Sequence, residues 1–447
     1  MDTRIEERIG QWRGYLSRRR ALSADDVVEL EGHLRDQIDR FQASGLTADE
    51  AFLIGVTRIG EINSLAREYA REHADRLWKQ LVADEAPRTS RGGVLLALAL
   101  AGMAAVAVKI PALAGIDVVG GGDGFYLRNT ALLVMPFLAA YFLRCRRASA
   151  ATVVGVAAGF AATALLVNVY PFVPSGSTIF LAGAHAAVAL WLVTGIAYAN
   201  GAWRSANARM DFIRFTGEWF VYMALLALGG GVLAALTVGV FAAVGLDPTT
   251  FVLEWMLPCG AAGAVVIAGW LVEAKQSVIE NMAPVLTRVF TPMFTLLLMA
   301  FVVAAAVQGS LVDDGRELLM IFDVVLLVVV GLLLYSISAR TPQAPPSWFE
   351  WLQLVMIVAA LVVDVLVLVA MTGRIAEFGA SANRVASLGV NLVFVANLVG
   401  AGWLQVRFLR RRGRFEAIER WQTGFVPVYL AWAAVVVAVF PPVFAFA

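Results

Sequence analysis

Long apolar runs alternate with short polar segments over most of the chain, after a polar stretch of about ninety residues. Each run approaches the roughly 20 residues that a helix needs to cross a bilayer core. The runs cover 92–112, 127–143, 150–169, 178–199, 217–244, 252–272, 290–309, 317–338, 350–371, 385–406 and 424–445. Because the second run is short and the fifth is long, the pattern predicts about eleven membrane helices, within a range of ten to twelve.

The polar stretch has the period of amphipathic helices. Its apolar stripes are Ile5, Ile9, Trp12 and Leu16 in a first helix and Leu30, Leu34, Ile38 and Phe41 in a second. Thr47 and Glu50 have the spacing of a capping box for a third helix, and Gly45 is suited to close the second. We expect Gly60 to interrupt the third helix, with further helix over 65–81. The chain is therefore predicted to be all-α: a polytopic membrane helix bundle preceded by a small cytosolic domain of three to four helices.

The composition supports this division into a polar head and an apolar body. The 447 residues are 60% hydrophobic and only 15% charged, against about 25% charged in ordinary soluble domains. Residues 1–91 hold 15 basic and 17 acidic residues, a net charge of −2, which argues against direct binding of nucleic acid through a basic face. We predict a cytosolic helical prefix domain at 1–85, a linker at 86–91 and a transmembrane domain at 92–447.

The distribution of Lys and Arg orients the body in the membrane, because cytosolic loops are enriched in them. With the head inside, 15 of the 20 Lys and Arg residues after position 91 fall on the cytosolic side. No secretory signal precedes the first apolar run near Gly92. We expect a multi-pass protein of a bacterial cytoplasmic membrane, with its N-terminus cytosolic and its C-terminus extracytoplasmic.

Polar side chains inside the apolar runs are costly, so each is a candidate for function. Those that could bind a ligand or a proton are His185, Asp323, Asp364, Asn391 and Asn168. At 1.5 Å per residue, their depths in the outer half of the bilayer agree to within about one turn. They could line one outward cavity that carries protons, binds a cation or holds a polar ligand. The alternative is that each is satisfied separately by the backbone or a neighbouring helix.

Charged residues near the inner ends of two runs form a second group of candidates. Arg214 and Glu218 lie one turn apart in FIRFTGEW and could form a pair at i, i+4. Glu273 ends the sixth run in a similar way beside Lys275. Anchoring at the membrane interface is the simpler interpretation of all three.

The outer loop GRIAEFGASANR, Gly373–Arg384, contains a third group of candidates. Arg374 and Arg384 lie on the side of the membrane that disfavours positive charge. Glu377 is expected to neutralise one of them.

Two stretches resemble known families. GLTADEAFLIGVTRIGEINSLAREYA, Gly45–Ala70, resembles the Gly-Leu-Ser/Thr-x-x-Glu-Ala, Arg-x-Gly and Leu-Ala-x-Glu pattern of the permease prefix domain, which is similar to HAAS-type signalling domains. Such heads precede multi-pass segments in bacterial permease-like and sensor-like proteins, and some HAAS-type proteins are associated with PadR-like transcriptional regulators. The resemblance covers about residues 1–80. It implies a regulatory head that binds a cytosolic regulator or a transport subunit, without a catalytic residue.

The second resemblance concerns the body. GRIAEFGASANR resembles an Arg-x-x-Glu-Tyr/Phe-Gly-x-Ser/Thr-x-x-Arg motif of a family of multi-pass bacterial membrane proteins defined by a domain of unknown function, with Phe378 and Ser381 at the variable positions. The runs NVYP, Asn168–Pro171, and FTGEW fit the same family. The resemblance covers roughly residues 150–447 and implies a fold without a known chemistry.

The chain lacks the motifs of common enzyme classes. It contains no P-loop, no His-Glu-x-x-His, no Gly-x-Ser-x-Gly and no Cys-x-x-Cys. Only three histidines are present, His33, His73 and His185, so a His-rich metal site is excluded. We predict no cofactor and no catalytic residue, and we do not expect an enzyme.

Two functional classes then remain, apart from a less favoured membrane enzyme. One is a sensor or regulatory protein in the lipid bilayer, whose head relays the state of the helical body to a partner. The other is a permease for a small solute or ion that is regulated through its prefix domain. The short outer loops and the lack of a visible inverted repeat favour the sensor. The oligomeric state does not follow from the sequence.

Overall fold

The computed structural model describes residues 3–17, 24–62, 91–116, 124–174, 176–243, 246–274, 282–308, 316–340 and 345–447. Throughout these ranges the regular structure is helical, without strands, which confirms the predicted all-α class. The chain divides into two compact units, Met1–Ser90 and Arg91–Ala447. The predicted helix over 65–81 and nearly all of the predicted linker lie outside the described residues.

The first unit contains three described helices: α1 (Thr3–Ser17), α2 (Ala24–Ala43) and α3 (Ala48–Ile62). Their apolar stripes meet in a small core. Its buried members are Ile5, Ile9, Trp12, Leu34, Ile38, Ala51, Phe52 and Val56. The amphipathic periods of the sequence therefore identified the packed faces of α1 and α2.

The connection between α2 and α3 has the predicted chemistry. Gly45 adopts a φ of 95°, a left-handed conformation that glycine reaches without strain. The Thr47 amide donates to Glu50 Oε2 at 2.9 Å, and the Glu50 amide donates to Thr47 Oγ1 at 3.5 Å. The prediction for Gly60 is wrong, since α3 continues through it to Ile62. A glycine costs a helix only about 1 kcal/mol relative to alanine and does not end it by itself.

Ion pairs join the helices of the first unit at the surface. The Arg35 guanidinium of α2 donates to both Glu6 oxygens of α1, at 2.6 and 2.8 Å, and to Glu31 at 2.9 Å. Arg8 of α1 contacts Asp49 of α3 at 2.8 Å. The hydrogen bonds from Arg35 hold the pKa of Glu6 below its ordinary value.

The second unit consists of long helices. They are α4 (Arg91–Leu113), α5 (Phe125–Cys145), α6 (Ala150–Val169), α7 (Ser177–Tyr198), α8 (Ala206–Ala243), α9 (Thr249–Ala274, with a π-helical segment at Val252–Met256), α10 (Met282–Gln308), α11 (Arg316–Ser338), α12 (Trp348–Phe378), α13 (Ala382–Leu409), α14 (Phe415–Ala438) and the short α15 (Phe440–Val443). A helix therefore stands at each of the predicted apolar runs.

Ten of the helices in the described ranges are long and apolar enough to cross a membrane. The remaining long helix, α10, runs for 27 residues, and the apolar stretch identified within it, Thr287–Val303, is shorter than a full span. The count lies within the predicted range of ten to twelve. The protein is a multi-pass membrane protein built as an all-α helix bundle.

Two apolar cores hold the membrane unit together, and α8 contributes to both. One core is formed by residues of α4–α9 and includes Phe212 and Phe215. The other is formed largely by α10–α14 and includes Met210 and Ile213. Residues three apart share a face of a helix, so each pair lies on one face of α8. The two pairs are offset by two residues and therefore lie on different faces. The N-terminal part of α8 therefore lies between the two cores and fixes the helices around it.

Candidate functional site

A pair of carboxyl groups lies where α11, α12 and α13 pack against one another. Asp323 of α11 accepts a hydrogen bond from Asn391 Nδ2 at 2.7 Å through one oxygen. Its other oxygen accepts from the hydroxyl of Ser387. Ser387 and Asn391 are four residues apart on α13, so they share one face. Asp364 lies on α12, which packs against both α11 and α13. We call Asp323 and Asp364 the carboxyl pair.

Asp364 is enclosed by the protein and lacks polar partners. Its exposed fraction is 0%, and neither carboxyl oxygen has a hydrogen-bond partner within the described part of the chain. Its helix neighbours Ala360, Val363 and Val367 belong to the apolar core. An isolated charge in such a place costs far more than a neutral polar group. The arrangement is therefore suited to hold a proton, which a carboxyl group can bind without additional space.

The other two intramembrane candidates have different partners. His185 Nδ1 hydrogen-bonds to the carbonyl of Leu181, one turn earlier on α7, at 2.9 Å. Asn168 and Asn129 form a reciprocal amide pair between α6 and α5, at 2.8 and 3.0 Å. His185 and Asn168 therefore form hydrogen bonds separately from the carboxyl pair, as the alternative interpretation expected. Asp323, Asp364 and Asn391 lie on three helices that pack together, and their similar predicted depth in the bilayer agrees with this. Depth alone does not predict which face of a helix a residue occupies.

The inner-face candidates gather around a cavity of about 390 Å³. Its polar wall is formed by Arg146, Tyr198, Asn200, Asp211, Arg214 and Glu218. These residues come from the last turns of α5 and α7 and the first turns of α8. On α8 the charged residues are spaced by three and four, which places all of them on one face. We call this space the inner cavity.

Neighbouring helices hold the arginines of the inner cavity. Arg146 Nη2 contacts Glu273 of α9 at 2.8 Å, and its guanidinium lies 4.2 Å from the centre of the Tyr198 ring. Arg214 donates two hydrogen bonds, at 2.6 and 3.1 Å, to the carbonyl of Ser338 at the end of α11. Glu273 thus pairs with Arg146, whereas Lys275 lies outside the described residues.

The rest of the FIRFTGEW run explains why the cavity wall is rigid. A Cβ atom at Gly217 would lie 2.2 Å from Cδ2 of Tyr335, so only glycine admits this ring against α8. Trp219 Nε1 donates to the carbonyl of Val265 on α9 at 3.0 Å. Thr216 accepts from Trp191 Nε1 of α7 at 3.2 Å. The run is thus a packing centre for three neighbouring helices, in addition to any role as an interface anchor.

The outer-loop candidates act at a helix end. Arg384 Nη1 donates to the carbonyls of Phe378 and Gly379, at 3.0 and 2.7 Å. Gly379 has a φ of 75° and makes the turn between α12 and α13. Within the described ranges, no ion pair within 4.0 Å joins Glu377 to Arg374 or Arg384. The predicted neutralisation by Glu377 is therefore absent there, and Arg384 instead caps the carbonyls that end α12.

Two buried polar clusters were missed at the sequence level. Asn397 of α13 and Gln422 of α14 exchange amide hydrogen bonds at 3.0 and 2.9 Å, and Asn397 also donates to Tyr429 Oη at 2.7 Å. We call these three residues the amide cluster. Asn397 interrupts its apolar run as Asn391 does, so the same signal could have identified it.

The second missed cluster lies where α11 ends and α12 begins. Arg340 Nε contacts Glu350 Oε1 at 2.6 Å in an almost buried ion pair. Glu350 also completes a capping box with Ser347. The Ser-x-x-Glu spacing was a usable signal. Because its charges are paired and capped, this cluster closes the helix ends and offers no open site.

The residues described contain no group of three or more His, Cys, Asp or Glu side chains that could hold a metal ion. None of the family models, curated proteins or solved structures compared with the chain matches it. The geometry of the carboxyl pair and the inner cavity is therefore the basis for a functional proposal.

Proposed function

We propose that this protein is a membrane sensor or regulatory protein whose helical body responds to protonation of the carboxyl pair. Its cytosolic head would relay the response to a cytosolic regulator. The observation that carries the proposal is Asp364, which is fully buried on a helix that packs against the helix of Asp323, with both of its carboxyl oxygens unpartnered in the described structure. Ionisable groups inside a membrane are costly and are kept mainly where they function.

The enclosure of Asp364 favours a proton over a larger ligand. Asp364 and Asn391 are both 0% exposed, and neither residue lines the inner cavity. A solute or hydrated cation needs space and several oxygen ligands. A proton needs only one carboxyl oxygen.

Because of its location, the carboxyl pair could couple the binding of a proton to a change in helix packing. Asp323, Asp364 and Asn391 belong to three helices that contact one another. Gain or loss of a proton changes the charge between these helices and the hydrogen bonds that Ser387 and Asn391 make to Asp323. Such a charge change biases an equilibrium between two packings. A sensor requires this kind of coupling.

The head has features expected of a relay module. Its described helices form their own buried core, so it can keep its shape while it binds another protein. Ile54 is 39% exposed and is the one large apolar side chain exposed in its described part. Ile54 is therefore the residue at which we expect a partner to make contact.

The experiment compares the full-length protein in lipid nanodiscs at two pH values. Hydrogen exchange of peptides from α2 and α3 is measured and corrected for the intrinsic effect of pH on exchange. In the wild type we expect protection of the head to change with pH. In Asp364→Asn, which cannot titrate, this change should be lost. Asp247→Asn, an exposed position between two helices, should behave like the wild type.

Two results would contradict the relay. Head protection could be independent of pH in the wild type, or Asp364→Asn could respond as the wild type does. Proton flux into proteoliposomes that disappears in Asp364→Asn would instead favour a proton-coupled permease regulated through its prefix domain, which uses the same pair for transport.

A further inference from the structure

We propose that the inner cavity binds a small zwitterion that carries a phosphate group and a primary ammonium group. This is the chemistry of a phosphoethanolamine headgroup, either on a membrane lipid or as a free molecule. The site lies apart from the carboxyl pair, so the proposal does not depend on the role of Asp364.

The arginines supply the anion-binding half of the site. Contacts with Glu273 and with the Ser338 carbonyl hold Arg146 and Arg214 in place before a ligand arrives. Arg214 uses Nε and Nη2 for Ser338, while its Nη1 makes no hydrogen bond within the described structure. Arginine presents several donors in a fixed plane that matches phosphate oxygens. The Asn200 side chain adds an amide at the same wall.

Asp211 supplies the cation-binding half, and Glu218 adds negative charge to the same wall. Asp211 is exposed and Glu218 is 5% exposed, and both residues line the cavity. Both share the face of α8 that carries Arg214, and charges of opposite sign therefore alternate along it. A phosphate alone would be repelled by these carboxylates, and a simple cation by the arginines. A molecule with both charges matches the wall.

Size and location fit a headgroup. A volume of about 390 Å³ lies in the range of small-molecule sites. The cavity lies at the ends of α5 and α7 and at the start of α8, where membrane helices leave the hydrocarbon and meet lipid headgroups. Phe215 and Val272, both 2% exposed, form apolar wall beside the charges. An amphiphile can therefore place its headgroup in the cavity from the adjacent bilayer.

The test is a binding titration of the full-length protein in detergent micelles. The probes are short-chain phosphatidylethanolamine, short-chain phosphatidylglycerol, which lacks the ammonium group, and free phosphoethanolamine. We expect phosphatidylethanolamine to bind at least tenfold more tightly than phosphatidylglycerol, because a charge-assisted hydrogen bond contributes at least that factor. If free phosphoethanolamine binds equally well, the site is supported and its natural ligand is soluble. Weaker binding of the free molecule supports a lipid.

Two variants and one control complete the test. Asp211→Asn should weaken the binding of phosphatidylethanolamine by about tenfold and should not weaken the binding of phosphatidylglycerol, which the Asp211 carboxylate repels. Ala208→Phe places a ring in the cavity and should abolish binding of every probe. Glu377→Gln changes an exposed carboxylate on the outer loop and should bind as the wild type does. Equal binding of the two lipids, or wild-type binding by both cavity variants with intact unfolding temperatures, would overturn the proposal.

Discussion

The amide cluster and the carboxyl pair are two groups of polar side chains at the contacts of α13 with its neighbouring helices, but their surroundings differ. In the amide cluster, Asn397 and Gln422 exchange donors and acceptors, and Asn397 also reaches Tyr429. In the carboxyl pair, both Asp364 oxygens lack a partner among the described residues. Buried polar groups are normally satisfied, and an exception calls for an explanation. The amide cluster is therefore expected to serve packing, whereas the unpartnered carboxyl group of Asp364 is the basis of the proposed proton response.

The largest effect on the free energy of unfolding is expected at Gly400, where Trp421 packs against α13 next to the amide cluster. A Cβ atom at Gly400 would lie 2.0 Å from Cζ2 of Trp421, whose indole donates to the Asn397 carbonyl at 3.0 Å. Gly400→Ala should lower the free energy of unfolding by about 3 kcal/mol, because the overlap separates α13 from α14. Equilibrium unfolding in mixed micelles measures this. Gly424→Ala, where the added carbon has no neighbour within 4 Å, is the control and should be neutral.

The next variant removes the centre of the amide cluster. Asn397→Leu leaves the polar groups of Gln422 and Tyr429 buried without their partner, so we expect a loss of about 2 kcal/mol in the free energy of unfolding. The same unfolding measurement applies. Val399→Leu, at a position 53% exposed on the same helix, should change little. An Asn397→Leu protein as stable as the wild type would show that the amide cluster is not structural.

The matching change in the carboxyl pair should have the opposite sign. Asp364→Leu replaces an unpartnered buried carboxyl group by an apolar side chain of similar size, so we expect a gain of about 1 kcal/mol in the free energy of unfolding. The pH response of the head should be lost at the same time. Val365→Leu, 50% exposed on α12, is the control. A destabilised Asp364→Leu would place the pair with the amide cluster as a structural element.

The smallest effect is expected for the surface ion pair between Glu6 and Arg35, which contributes to the stability of the head. The bond from Arg35 lowers the pKa of folded Glu6 below its ordinary value of 4.5. Its stabilising contribution is therefore complete above that value and is lost as the pH falls through the folded pKa. We expect pepsin to cleave the head of Glu6→Gln faster than that of the wild type near pH 5, with a smaller difference between the two near pH 3.

The control for the head is Asp39→Asn, an exposed residue of α2. It should follow the wild type at each pH. Equal cleavage of Glu6→Gln and the wild type at both pH values would show that the Arg35–Glu6 contact does not stabilise the head.

Local patterns predicted local structure well. Ile5, Ile9 and Trp12 pack together because a helical period depends only on neighbours in sequence. The capping box at Thr47 and Glu50 formed for the same reason. Gly60 was misjudged because the rest of α3 favours the helix more strongly than one glycine disfavours it.

Contacts between helices were predicted only in part. From their depth along the apolar runs, Asp323 and Asn391 were predicted to lie near each other, and they do. The same depth also grouped His185 with them, although His185 bonds within its own helix, because depth does not determine how a helix is rotated about its axis. Gly400 and Gly229 are both glycines within apolar runs. A side chain at Gly400 would overlap Trp421, whereas Gly229 has nothing within 4 Å. Which glycine matters is decided by the neighbouring helix, and one sequence does not contain that information.

The most direct test of the account is an infrared measurement of the carboxyl groups in the full-length protein at neutral pH. We expect a carbonyl band from a protonated carboxyl group that is present in the wild type and in Asp247→Asn and is absent in Asp364→Asn. This result would show that the carboxyl pair holds a proton inside the membrane unit. A wild type without the band, or a band unchanged in Asp364→Asn, would contradict the central claim.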